Sequence, residues 1–146
     1  MTAFTFFGVL SFGAGGLYWA VSYIVGNRTG LEKEDGRKRL KIQFAFWYAV
    51  LVLAAHRAAM TYMLLTMDFS KRDAQEFFGM SWWFLDPLAG FPIVLGSLPF
   101  AKNIPMPRFI DNYYIPLSIL LYAGFIYWLW LLSRHAFAAP KPPERT

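Results

Sequence analysis

The chain has 146 residues, 57% of them hydrophobic and 20% aromatic, and a formal net charge of +5. This is too apolar for an ordinary soluble domain, and the absence of cysteine excludes disulfides, thiolate nucleophiles and thiolate metal sites. The basic excess sits mainly in one loop beside an apolar segment, which suits anionic lipid and not nucleic acid.

The apolar residues fall in four blocks of about 20 residues or more, the length at which a helix crosses roughly 30 Å of hydrocarbon. A soluble bundle would show polar faces at helical spacing, and these blocks do not. The expected fold is therefore an all-α integral membrane protein, with one transmembrane helical domain over residues 1–138. Four transmembrane helices are expected over about 4–26, 42–66, 81–100 and 113–134, followed by a disordered, Pro-rich tail at 139–146.

The first block lacks a basic start and is longer than a signal-peptide core, so it reads as a retained span. It carries Gly8, Ser11, Gly13, Gly15 and Gly16, small residues that let helices approach closely in lipid. Gly8 and Gly16 share one face, and Ser11 and Gly15 lie four apart. These residues are either a helix-packing face or the ordinary glycine content of a membrane helix. The loop 27–41 holds Arg28, Lys33, Arg37, Lys38, Arg39 and Lys41. By the positive-inside rule that loop is cytoplasmic and the N-terminus lies outside, in a multi-pass protein of the plasma (inner) membrane.

The second block contains "AAHRAAM", with His56 and Arg57 side by side in an apolar run. A central arginine costs roughly 3 kcal/mol on insertion scales, and each Leu, Ile, Phe or Val returns about 0.3–0.6. Nine such residues between Ile42 and Leu65 let the block insert with little surplus. Arg57 must therefore face protein or water.

The third block, "SWWFLDPLAGFPIVLGSLPF", contains Asp86, Pro87, Pro92 and Pro99. Its prolines interrupt any helix there, and a re-entrant course is the alternative to a full crossing. If it spans, Lys102 and Arg108 join the six loop residues inside, giving eight basic residues against five outside. If it is re-entrant, Arg134, Lys141 and Arg145 join the six instead, giving nine against four. Charge favours three spans; block length favours four, and four is the expectation. Trp47, Trp82, Trp83, Tyr113 and Tyr114 near the block ends read as interface anchors.

Asp86 is the only carboxylate within any block, and its depth falls within several Å of Arg57. An Arg57–Asp86 pair is the leading structural expectation. Two roles stay open for the cluster of His56, Arg57 and Asp86: a static pair that orients helices, or a proton or ion site in which His56 titrates. The scarcity of further polar stations favours the static pair. His56 can ligate a heme or chlorophyll in principle, but the other histidine, His135, lies at a different depth, so the two do not clamp one heme. No cofactor is strongly implied. Paired carboxylates, Gly-rich phosphate loops, Ser–His–Asp candidates and metal-ligand spacings are missing from the sequence.

"GAGGLYW" (Gly13 to Trp19), the basic first loop, His56 in the second helix and "DPLAGFP" (Asp86 to Pro92) together resemble the first four helices of the microbial rhodopsins. The resemblance implies Asp86 as a counterion that accepts a Schiff-base proton, with His56 tuning it, and retinal as the pigment. The chain departs from that pattern. Trp83 stands where the family has arginine, Pro87 stands where it has tryptophan, and no last-helix lysine is present to bind retinal. The resemblance then implies a truncated or repurposed relative.

The function read from the sequence is a non-catalytic accessory or assembly subunit, its partners the lipid bilayer and other membrane subunits or copies of itself. The alternatives are a small proton, ion or solute translocator and a pigment-binding protein.

Overall fold

In a computed structural model the described residues are 3–29, 36–66, 86–90, 92, 93, 96 and 106–137, and every regular element among them is helical. Helix α1 covers Ala3–Thr29 and α2 covers Gly36–Thr66. A short α3, Met106–Phe109, leads through a π-helical turn, Ile110–Tyr114, into α4, Ile115–Phe137. Two of these stretches, Gly36–Thr66 and Ile110–Phe137, are long and apolar enough to cross a membrane.

Three long helices are present among the described residues, and the expected count of four spans is not supported by them. Most of the expected third span, 81–100, lies outside them, as do Trp82, Trp83 and the tail 139–146. Where that block is described it opens as a bend and turn over 86–89, with helical backbone at Gly90, Pro92, Ile93 and Gly96. Gly90 N–H bonds the Asp86 carbonyl and Ile93 N–H the Ala89 carbonyl, so helical hydrogen bonding begins at the aspartate. The preference of the residue before proline for extended backbone explains why Asp86 itself is not helical.

Helix α2 starts at Gly36, six residues before the expected span, because the basic stretch Arg37–Lys41 is itself made of good helix formers. It is buried along one stripe: Ile42, Ala45, Phe46, Ala49, Leu53, Arg57, Met60 and Leu64. These positions recur three and four apart, the spacing of a single helix face. The other faces carry Leu51 and Leu65, each 67% exposed, which fits lipid and not water.

The π turn has a local cause. Pro116 carries no N–H for the carbonyl of Asn112, and its ring crowds that carbonyl. A wider turn relieves both, and Ile115 N–H bonds the Ile110 carbonyl, five residues back. The helix therefore continues through the proline without breaking.

By its contacts the chain divides into residues 1–54 with 126–146, and residues 55–125. In the first unit Ala20 and Ile24 of α1, the early stripe of α2, and Leu129, Leu132 and Ala136 of α4 are buried. Phe46 meets Phe137 edge-on at 5.8 Å between ring centroids. Of the small residues of α1, Gly16 alone makes a close approach among the described residues: a Cβ there would run into the Tyr48 ring and hydroxyl. Gly8, Gly13 and Gly15 have open space around them, and Ser11 is exposed. Among the described residues the expected packing face is thus a single notch.

Gly15→Ala is expected to raise stability by about 0.5–1 kcal/mol through helix propensity. Gly16→Ala is expected to lose that gain, because the Tyr48 ring must move aside. Unfolding of both variants in detergent micelles checks the contrast, and equal effects would refute it.

Candidate functional site

The second unit holds the polar cluster. Arg57 lies on the buried stripe of α2, so it points into protein with only 8% of its surface exposed. Asp86, at the start of its turn, is completely buried. The structure brings the two together: Arg57 Nη1 donates to Asp86 Oδ2 at 3.2 Å.

The carboxylate has three further donors. Tyr114 Oη donates to Oδ2 at 2.8 Å, and Tyr122 Oη donates to Oδ1 at 2.8 Å. The Ala89 N–H donates to Oδ1 at 3.4 Å. Tyr114 and Tyr122 are eight residues apart on one continuous helix, about 12 Å along its axis, so they bracket the carboxylate from two levels. Each carboxylate oxygen has two donors, which accounts for its full complement of about four acceptor sites.

The guanidinium is held as firmly. Arg57 Nε donates to Thr61 Oγ1, one turn on, at 3.0 Å. Its Cζ sits 5.8 Å from the centre of the Tyr122 ring. Arg57 Nη2 is buried with no hydrogen-bond partner among the described residues, and the nearby ring face offers the cation its remaining stabilisation. His56, half-buried, stacks on Tyr122: its ring lies 6.1 Å from that of Tyr122 at 24°.

Three of these residues were not read as site residues from sequence. Tyr114 was expected to be an interface anchor, and this is overturned: it is fully buried and bonded to Asp86, whereas Tyr113 and Trp47 do face outward. Tyr122 and Thr61 carried no expectation. The signal that points to them is the carboxylate itself, since a buried Asp with one arginine still needs other donors at its depth. His135, exposed at the end of α4, takes no part; beside it Arg134 lies over the Trp130 ring at 5.6 Å. Among the described residues no three His, Asp or Glu side chains gather as a metal set would.

No family model, curated protein or solved structure matches the chain. The likeness to microbial rhodopsins therefore rests on the sequence motifs. In this chain the arginine that meets Asp86 comes from the second helix and not from three residues upstream.

Arg57→Ala and Asp86→Asn are each expected to cost about 3 kcal/mol, because each strands a buried partner. The double variant should lose less than the sum, and a strictly additive cycle would show that the pair is not coupled. Tyr114→Phe and Tyr122→Phe should each cost about 1 kcal/mol, the scale of an interhelical hydrogen bond in a membrane.

Proposed function

We propose that this protein is a membrane-embedded helical subunit, without chemistry of its own, that packs within a larger membrane assembly. The observation that carries the reading is the saturation of Asp86. A carboxylate with two donors on each oxygen, one of them a buried arginine, has no open position for a passing ion. It is a fastener between segments. The exposed leucines of α2 and the open glycines of α1 supply apolar and close-approach surface for lipid and neighbouring helices.

The topology that best fits this role has three crossings, α1, α2 and α4. Charge favours it, since a re-entrant third block gives the larger inside excess. The turn at Asp86 is tolerable at membrane depth because Asp86, Ala89 and Gly90 are buried in protein. On this reading loop 27–41 and the C-terminus share the cytoplasmic side and the N-terminus is outside.

A second reading, proton translocation, is favoured by one observation: His56 stacks on the tyrosine whose hydroxyl binds Asp86. A titratable ring thereby adjoins a continuous hydrogen-bonded set.

The chain has no cysteine, so single cysteines introduced at Lys33, Lys71 and Thr146 report one position each. An impermeant thiol reagent should label positions 33 and 146 from the same side and position 71 from the other. Labelling of 146 with 71 would restore four crossings. A stable monomer purified in mild detergent, with nothing co-purifying, would overturn the subunit reading. Proton flux in proteoliposomes that is lost in His56→Ala would replace it with the second.

A further inference from the structure

In the first unit the residues at the start of α2 leave a groove of about 530 Å³ against α1. Its walls are Trp19 of α1 with Leu40, Phe44 and Trp47 of α2, and its polar rim is Lys41 and Gln43. The three aromatic rings are outward-facing: Trp19 is 48% exposed, Phe44 63% and Trp47 66%. The groove is therefore open sideways, not sealed in a core. Lys41 stands at the boundary where the apolar part of α2 begins, and Trp47 lies six residues, or about 9 Å, deeper. Arg37, Lys38 and Arg39 are exposed on the turns just before it.

That gradient, from a cationic mouth to an aromatic floor, matches one kind of molecule. We propose that the groove holds one anionic glycerophospholipid, with its phosphate on Lys41 and Gln43 and an acyl chain against Trp19, Phe44 and Trp47. An ammonium at the headgroup level attracts a phosphate strongly, and the preceding basic turns raise the local concentration of anionic lipid. The aromatic rings offer flat apolar surface at the depth where a chain begins. A free anion would use the mouth and leave the apolar floor uncovered, so the lipid accounts for both halves. The proposal rests on the membrane reading given above.

The full chain, reconstituted in vesicles of equal phosphatidylglycerol and phosphatidylcholine, is first washed with alkaline carbonate and then released into native mass spectrometry. The wild type should keep one phosphatidylglycerol in preference to phosphatidylcholine. Lys41→Gln should lower that retention roughly fivefold. Phe44→Ala should lower it as well, while Arg39→Gln, exposed but outside the groove, should lower it by less than Lys41→Gln does. Both substituted groove residues are exposed, so the fold tolerates their loss. Equal retention of the two lipids, equal losses in Lys41→Gln and Arg39→Gln, or no loss in Phe44→Ala each overturn the site. A chain stripped from vesicles by carbonate overturns the membrane reading together with the site. An integrated chain with no lipid preference overturns the site alone.

Discussion

The buried carboxylate of Asp86 is the constraint on which the second unit depends. A charge withdrawn from water must be matched where it lands. Here the match comes from three separate stretches of chain: Arg57 from α2, Tyr114 and Tyr122 from the π turn and α4, and the amide of Ala89 from the turn that Asp86 itself opens. Apolar packing between lipid-facing helices is weakly directional, because lipid tails are as good a neighbour as leucine. A carboxylate with four donors is not interchangeable in that way. It fixes which faces meet and at what level.

The same arrangement makes the proline at the start of α4 intelligible. Pro116 forces a wide turn where an α-helix would otherwise lose a hydrogen bond. The wide turn keeps Tyr114 on a continuous helix with Tyr122, and both hydroxyls arrive at one group. A clean break there would separate the two donors.

Much of this was legible in the residues. Block length and composition gave helices α1, α2 and α4, and depth matching placed Arg57 beside the only carboxylate in an apolar block. The aromatic donors were hidden because tyrosine at a helix end has two common uses, at the interface or as a buried donor, and composition does not tell them apart. The number of crossings is hidden for a similar reason: residues 81–100 have the apolar content of a span, while charge asymmetry favours a re-entrant course by a margin of one residue on each side. The glycines of α1 were legible as small, but which of them meets a neighbour depends on Tyr48, a residue 32 positions after Gly16.

The spacing of the cluster along the chain also has a consequence for synthesis. Asp86 lies 29 residues after Arg57, and Tyr122 a further 36. At ribosomal speeds of about 5–20 residues per second, Arg57 waits several seconds before its last donor partner exists. During that interval the arginine has no finished pocket, and its helix must be retained in the bilayer by its own leucines, valines and phenylalanines. The apolar run around "AAHRAAM" is thus shaped by two demands at different times: first to carry an unmatched cation alone, and later to present it to a carboxylate that is not yet made.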